Sequence, residues 1–276
     1  MNIIGDVCPI GVFDSGVGGL SVLRAIHQLL PSESLVYFAD QEHVPYGSRA
    51  MDEVREFSVS ITRFLLEQGA KLVVVACNTA SAAALHSLRQ LFPDIPFVGM
   101  EPAVKPAAEH THTGVVGVLA TPATFQGALY ASVVERFAAN VTLLQNTCPG
   151  LVKQIEQGAF DDKKTRAILE TALRPMLDQG IDTIVLGCTH YPFVIPLIQE
   201  IVGPGVRVID PAPSVARQVS RLLGFNGGQA VNTGKGILSF FTSGNARKFT
   251  TLLPGLIDEI GKVQEVFWDG NEIRIK

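Results

Sequence analysis

The sequence has few cysteines and no long apolar run. Four cysteines in 276 residues, Cys8, Cys77, Cys148 and Cys188, are too few for a disulfide scaffold. None of them forms the Cys-x-x-Cys pair that is typical of zinc sites. No stretch approaches the roughly 18 apolar residues of a membrane helix, and the N-terminus lacks the basic segment of a signal peptide. We therefore expect a cytoplasmic globular protein with free thiols, no metal site and no membrane association.

Charge is also scarce, and neither sign dominates. Charged residues make up 17% of the chain, and the net charge is 22 − 26 = −4. Because nucleic acid binding needs clustered Lys and Arg, we do not expect nucleic acid as a partner. Apolar residues make up 47%, which excludes a disordered chain, and the length allows one large domain or two ordinary ones.

Short β-branched runs alternate with longer helical patterns along the chain. The patterns predict strands at residues 10–13, 35–39, 72–76, 97–99, 115–119, 141–144, 183–187, 206–209, 236–241 and 263–268. They predict helices at residues 20–30, 52–68, 80–92, 123–137, 162–179, 193–202 and 214–223. Such alternation indicates βαβ units, so the expected fold class is α/β with parallel strands.

The number of strands is too large for one comfortable sheet. Pro102, Pro106 and Pro211 interrupt the pattern where the chain could cross between domains. We therefore expect two parallel-sheet α/β domains, the first formed by residues 1–100 plus 211–276 and the second by residues 101–210.

Two segments of the chain share one layout. In residues 72–79 (LVVVACNT) and 183–190 (TIVLGCTH), an apolar strand ends in a cysteine that is followed by polar residues and a helix. In open α/β sheets ligands bind at this end of the strands, and a helix start there favours an anion such as a thiolate. Most buried cysteines are inert, and we keep that interpretation for Cys8 and Cys148. For Cys77 and Cys188 the repeated polar context favours function.

Two further loops have polar and flexible residues. Residues 14–19 (DSGVGG) follow a predicted strand, and their glycines let the backbone approach an anionic ligand closely. The spacing is neither that of a dinucleotide fingerprint nor that of a P-loop, so a carboxylate or a small phosphate is the expected guest. A tight turn with a helix cap is the alternative. Residues 45–47 (PYG) form a rigid turn with an aromatic hydroxyl, and alone they indicate an exposed turn.

Two thiols are suited to the inversion of a carbon stereocentre. One base removes a proton from one face, and a different acid returns a proton to the other face. The ordinary pKa of a cysteine is near 8.5, so a modest shift sets one thiolate beside one thiol. Asp14 could assist Cys77, and His190 could assist Cys188. The sequence has no comparably repeated carboxylate motif.

Four segments together resemble the motifs of the glutamate racemase family, in the order that the family has them. They are DSGVGG at residues 14–19, PYG at 45–47, ACNTA at 76–80 and GCTHYP at 187–192, and the resemblance extends over essentially the whole chain. It implies two α/β domains with the active site in the cleft between them, and cofactor-independent interconversion of L- and D-glutamate. It also implies the supply of D-glutamate for peptidoglycan in a bacterial cytoplasm, and a homodimer.

The resemblance also implies roles for individual residues. Cys77 would remove the α-proton of D-glutamate and Cys188 that of L-glutamate, with Asp14 and His190 assisting them. The residues expected to hold the substrate are Ser15, Pro45, Tyr46, Gly47, Asn78, Thr79, Thr121 and Thr189. Asp40 and Glu156 resemble acidic positions of the family, but we leave them outside the expected site.

Aspartate racemase is the related activity to exclude. In that family the second cysteine loop has Glu where this chain has His190, and the first loop commonly has His where this chain has Ser81. Both differences favour glutamate. Some glutamate racemases have an N-terminal extension linked to activation by a cell-wall precursor. Because the first strand is expected at residue 10, we expect no such dependence here.

Three other classes of protein remain as alternatives. A pyridoxal phosphate racemase needs a Schiff-base lysine, but Lys71 and Lys105 lie near strand ends without a motif. A protein that only binds an amino acid would need no thiol. A thiol redox protein could pair Cys77 with Cys188 across a cleft. Without a cofactor, the carbanion would be stabilised by N–H donors of the cysteine loops and by the exclusion of water.

Overall fold

The computed structural model describes residues 8–225, 234–258 and 261–276. The strands are β1 Ile10–Asp14, β2 Leu35–Ala39, β3 Leu72–Val75, β4 Phe97–Gly99, β5 Val115–Ala120, β6 Thr142–Asn146, β7 Thr183–Gly187, β8 Arg207–Ile209, β9 Leu238–Thr242, β10 Lys262–Asp269 and β11 Glu272–Ile275. The helices are α1 Leu20–Leu29, α2 Met51–Glu67, α3 Asn78–Leu91, α4 Val104–His110, α5 Pro122–Gln126, α6 Ala128–Phe137, α7 Leu151–Glu156, α8 Lys163–Asp178, α9 Ile195–Val202, α10 Ala212–Phe225 and α11 Ala246–Leu252. Short 3-10 turns lie at Tyr46–Ser48, Tyr191–Val194 and Leu253–Gly255.

The strands form two separate sheets. Within the described ranges, the first has seven strands in the order β11-β10-β9-β2-β1-β3-β4, and the second has four in the order β6-β5-β7-β8. All pairings are parallel except that of β11 with β10, so the first sheet departs from the expected all-parallel arrangement at one edge. Every residue of β1, β2, β3 and β7 is buried, as expected for strands with helices on both faces. The predicted fold class, two α/β domains, is confirmed.

The first sheet takes strands from both ends of the chain, and the second takes strands from its middle. β1 to β4 precede the second sheet and β9 to β11 follow it. Helix α10 packs against α1 and so returns the chain to the first sheet. The predicted boundaries at residues 100/101 and 210/211 stay a prediction, because sheet membership alone does not delimit a domain.

Apolar packing holds each sheet to its helices and also joins the two domains. Helix α2 buries Val54, Ile61, Phe64 and Leu65 on one face, and each such side chain contributes about 1.5–3 kcal/mol when fully buried. One continuous apolar cluster extends from residues of α1 to residues of α8 and α9. No helix of the described residues is both long and apolar enough to cross a membrane.

Several predicted elements are corrected by the structure. The single helix expected at residues 123–137 is two helices, α5 and α6, which are separated at Gly127. The backbone of Gly127 is extended (φ −71°, ψ 138°), and a Cβ there would lie 3.0 Å from the Cβ of Ala82, so this position both ends α5 and packs closely on α3. The helix expected at residues 193–202 begins as a 3-10 turn and becomes α-helical at Ile195, with Pro196 in its first turn. The predicted elements did not include α4, α7, α11 and β11.

Candidate active site

All twelve residues predicted for the site line a single cavity between the two sheets. Its volume is about 20 Å³, which is room for about one water molecule. The lining residues are Asp14, Ser15, Pro45, Tyr46, Gly47, Cys77, Asn78, Thr79, Thr121, Val152, Gly187, Cys188, Thr189 and His190. Val152 and Gly187 are the two that were not predicted. Because the cavity is so small, an amino acid can enter only if its walls separate.

The carboxyl ends of strands from both sheets supply this lining. Asp14 ends β1, and Cys77 follows β3 as the residue before α3. Thr121 follows β5, and Cys188 follows β7. Since the carboxyl ends of parallel strands meet at one edge of a sheet, each sheet contributes its ligand-binding edge. Cys77 and Cys188 therefore approach the cavity from opposite walls.

Cys77 lies at the start of helix α3 and next to a carboxylate. Its Sγ accepts a hydrogen bond from the backbone N–H of Ala80 at 3.5 Å. Burial, and then the negative charge of Asp14, raise the pKa of Cys77 well above its ordinary value. The Asp14 carboxylate and this thiol both line the cavity and interact electrostatically, so the pKa of each depends on the other. Cys77 is thus held in its protonated form, ready to donate a proton.

The Asp14 carboxylate is fully buried and accepts several hydrogen bonds. The backbone N–H of Ser15 donates to Oδ1 at 2.7 Å, and that of Gly19 donates to Oδ2 at 2.6 Å. The hydroxyl of Thr189, from the other domain, donates to Oδ2 at 3.3 Å. Burial raises the pKa of Asp14, and the charge of His190 and the Ser15 N–H bond offset this only in part.

Cys188 lies next to a cation instead. The Nδ1 of His190 is 3.8 Å from the Cys188 Sγ, and the Nε2 of His190 is 2.6 Å from the Oε1 of Glu156. Burial lowers the pKa of His190, but the hydrogen bonds with Cys188 and Glu156 outweigh it and raise this pKa well above its ordinary value. An imidazolium therefore lies between the sulfur and the carboxylate. The two thiols have opposite electrostatic neighbours.

Asn78 is a buried side chain with unused hydrogen-bonding groups. It is 4% exposed, and neither its amide nitrogen nor its amide oxygen has a hydrogen-bond partner among the described residues. Buried polar groups in proteins are nearly always paired. Because Asn78 lines the cavity, its amide is suited to a polar ligand there. Nearby, the hydroxyl oxygens of Thr79 and Thr121 lie 3.0 Å apart and connect the two walls.

Tyr46 is fixed from behind by a buried carboxylate. Its hydroxyl donates to Oδ2 of Asp40 at 2.6 Å, and the indole N–H of Trp268 donates to Oδ1 at 3.0 Å. Burial, and then the charge of Asp40, raise the pKa of Tyr46 well above its ordinary value. The hydroxyl stays neutral, and its proton points away from the cavity.

The structure brings in residues that the sequence-based site left out. Asp40 and Glu156 do not line the cavity, but each bonds to a side chain that does. Val152 and Glu156 both belong to α7, which the sequence did not predict, and their i, i+4 spacing places them on one face of that helix. That spacing, after the turn dipeptide Pro149-Gly150, is the sequence signal that could have found them.

The two cysteines interpreted as inert have different environments. Cys148 is buried, and burial together with the nearby Cys188 raises its pKa to about 12. Cys8 is partly exposed. A structural role for both stays a prediction. Within the described ranges, no group of three or more His, Cys, Asp or Glu is arranged to hold a metal ion.

Comparisons with known proteins agree with this geometry. The family model described as Asp/Glu/Hydantoin racemase matches residues 10–219. A glutamate racemase of Roseiflexus sp. (strain RS-1) is 52% identical over 89% of this chain and 90% of its own length. The crystal structure of a Bacillus anthracis glutamate racemase isoform matches with a TM-score of 0.85 and 33% identity, covering 97% of this chain and 100% of that one. Escherichia coli glutamate racemase, in complex with L-glutamate and the activator UDP-MurNAc-ala, matches with a TM-score of 0.82 and 32% identity, covering 98% and 99%.

Proposed function

The chain belongs to the Asp/Glu/Hydantoin racemase family and is therefore an isomerase, and we propose that it interconverts L- and D-glutamate with Cys77 and Cys188 as the two bases. One observation carries the proposal. Two thiols from different sheets line one cavity, Cys77 with the Asp14 carboxylate in the same lining and Cys188 beside His190. Inversion requires a proton to leave one face of Cα and another to arrive at the opposite face. A pair of groups on opposing walls can do both.

The charges around the thiols suit a reaction that starts from L-glutamate. The Cys188 sulfur, as a thiolate, takes the α-proton and becomes a thiol. The electron pair stays on Cα, and the Cys77 thiol then donates its proton to the opposite face and becomes a thiolate. The raised pKa of Cys77 and the cation of His190 support this starting distribution. From D-glutamate the same steps run in reverse.

In the proposed mechanism no cofactor takes up the electron pair of the carbanion, so groups of the protein must stabilise it. Backbone N–H groups at the start of helix α3 and in the Cys188 loop can face the substrate carboxylate. The small cavity supports closure of the two walls around the substrate, since the closed site excludes water and strengthens these interactions. Substrate entry and product release then require the cleft to open.

The polar lining supports an acidic amino acid as the substrate. The unpaired amide of Asn78, the hydroxyls of Ser15 and Thr189, and the turn at Tyr46 and Gly47 can hold two carboxylates and an ammonium group. The E. coli relative binds L-glutamate, which favours glutamate over aspartate. We further propose that the D-glutamate product serves peptidoglycan synthesis in a bacterial cytoplasm. We also propose that the protein is a homodimer, and light scattering tests this oligomeric state.

The defining experiment is racemisation in heavy water. L-Glutamate incubated with the protein should gain deuterium at Cα as it inverts, because the returning proton comes from a thiol that exchanges with solvent. Replacing Cys77 or Cys188 by serine should each lower kcat/KM by about 10²–10⁴-fold, and Cys8→Ser is the matched control that should leave it unchanged.

Inversion without solvent deuterium would refute the two-base scheme. Ordinary activity in Cys188→Ser would refute the site assignment. Parallel assays with aspartate and other L-amino acids separate glutamate specificity from the aspartate alternative. A visible absorbance band in the purified protein would contradict a mechanism without pyridoxal phosphate.

A further inference from the structure

Gln41 connects the first sheet to the second domain directly behind the site. It lies two residues after β2 and does not line the cavity. Its Nε2 donates to Oε2 of Glu156 at 3.1 Å, and its Oε1 accepts from the hydroxyl of Thr242 at 2.9 Å. The two partners fix the orientation of the amide, because a carboxylate can only accept and the hydroxyl has a proton to donate.

Glu156 gathers donors from both domains onto one carboxylate. Its Oε1 accepts from the backbone N–H of Val17 at 2.7 Å and lies 2.6 Å from Nε2 of His190. Its Oε2 accepts from Gln41. Val17 and Gln41 belong to the first domain, whereas His190 belongs to the second. The side chain of Glu156 is only 11% exposed, so few water molecules can replace a missing donor.

The hydrogen bond from Gln41 fixes the plane of the Glu156 carboxylate, which Val17 and His190 alone leave undefined. The terminal torsion of a glutamate side chain is broad, so two donors on Oε1 alone do not set the plane of the carboxylate. A third donor on Oε2 sets it. The plane of that carboxylate in turn sets the direction of the bond to His190, and so the position of the imidazole beside the Cys188 sulfur.

On the basis of the function proposed above, we propose that Gln41 is a positioning residue for Cys188: it orients Glu156, and through it His190, across the domain boundary. Thr242 anchors Gln41 from the carboxyl end of β9. Because Gln41 and Glu156 lie on opposite sides of the cleft, the support of Cys188 is complete only when the cleft is closed. On the other wall, the short hydrogen bonds that fix Asp14 in the lining beside Cys77 come from Ser15 and Gly19 of the same domain, and the bond from Thr189 of the other domain is longer at 3.3 Å.

The two cysteine steps can be measured separately by isotope effects. Enantiomers have equal free energies in water, so any variant must change kcat/KM equally in both directions. With deuterium at Cα, however, the isotope effect on kcat/KM from L-glutamate reports the Cys188 step, and that from D-glutamate reports the Cys77 step.

Gln41→Ala should lower kcat/KM about tenfold, the size of one hydrogen bond to a charged group. The isotope effect from L-glutamate should rise and that from D-glutamate should fall, because the Cys188 step becomes the slower of the two. Gln28→Ala, which changes an exposed glutamine of α1, is the matched control and should leave kcat/KM and both isotope effects unchanged. Equal melting temperatures of the variants exclude misfolding as the cause.

An exchange of the two side chains tests whether the contact is direct. Gln41→Glu places two carboxylates against each other and should lower kcat/KM more than Gln41→Ala does. Adding Glu156→Gln restores an amide opposite a carboxylate. It should therefore raise kcat/KM in the Gln41→Glu background, although the same change lowers it in the wild type.

The possible outcomes separate this inference from the proposed function. A wild type that does not racemise glutamate overturns both. An active wild type overturns the inference alone if Gln41→Ala stays within twofold of it, if both isotope effects move in the same direction, or if Glu156→Gln lowers activity in both backgrounds.

Discussion

Replacing Gly18 by alanine tests how closely the two domains approach in the active protein. A Cβ at Gly18 would lie 2.4 Å from Nδ1 of His190 and 2.7 Å from Oδ2 of Asp14. Non-bonded carbon contacts are most favourable at about 3.5–4.0 Å, so the methyl group requires a separation of about 1 Å. Neither neighbour can move aside easily, because the His190 ring is hydrogen-bonded to Glu156 and the Asp14 carboxylate accepts hydrogen bonds from two backbone N–H groups. The cleft itself must open.

The size of the effect follows from that displacement. A misplacement of 1 Å near reacting groups lowers the rate about 10²-fold, so kcat/KM for glutamate should fall by about that factor. Overpacking should also lower the free energy of unfolding by about 1–3 kcal/mol. Steady-state kinetics in both directions and urea denaturation measure the two quantities.

Gly205→Ala is the matched control for this prediction. A Cβ there meets no atom within 4 Å, and its φ, like that of Gly18, lies outside the left-handed region. It should change the free energy of unfolding by less than about 0.5 kcal/mol and leave the kinetics unchanged. If Gly18→Ala kept kcat/KM within threefold of the wild type, the loop would not approach His190 in the active state and the closed arrangement would be wrong.

Two further changes test single polar groups. Asn78→Leu removes an unpaired buried amide, so the free energy of unfolding should stay equal or rise. The KM for glutamate should rise at least tenfold. A clear loss of stability would show that the amide is paired in the free protein. Burial raises the pKa of Asp182, but hydrogen bonds from the hydroxyl of Thr111 at 2.7 Å and from the backbone N–H groups of Thr113 and His112 at 2.9 and 2.6 Å outweigh it and lower this pKa to about 2. Its folded pKa lies below the unfolded value of 3.8, so it stabilises the fold above pH 3.8 and loses this as pH falls through about 2. Because solvent screens part of this interaction, Asp182→Asn should be about 1 kcal/mol less stable at pH 6 and approach the wild type below pH 2. A constant difference in pH-dependent denaturation would contradict the assignment.

Elements with a strong local signal were predictable from the sequence. β3 and β7 are apolar runs bounded by polar residues, and their predicted ends differ from the observed ones by at most one residue. β11 was missed although its sequence EIRI alternates charged and apolar residues after the two-residue loop Gly270-Asn271, a local hairpin signal. Gly270, at φ +63°, turns the chain back onto β10. The glycine at 127 is a local sign of a possible break, but its close contact with Ala82, 45 positions earlier, is visible only in the structure.

The same distinction holds for the site. The lining residues follow strand ends in recognisable motifs, and the sequence therefore found nearly all of them. The residues that hydrogen-bond to the lining side chains from behind follow no such motif. Gln41 and Glu156 are 115 positions apart, and Asp40 and Trp268 are 228 positions apart. The first pair meets only where the two domains pack, and the second only because β9 joins β2 and β10 into one sheet. One sequence encodes neither contact in a local spacing.

The location of β9 in the first sheet determines when that sheet can form during synthesis. β9 pairs with both β2 and β10, so the sheet is completed by residues that the ribosome adds after the entire second sheet. At 5–20 residues per second, the chain between Gly99 and Thr242 takes roughly 7–30 s to make. During that time β2 has an unpaired edge that other nascent chains could bind. The strands of the second sheet are thus complete before those of the first, and the wait for β9 is the interval in which the edge of β2 is open to aggregation.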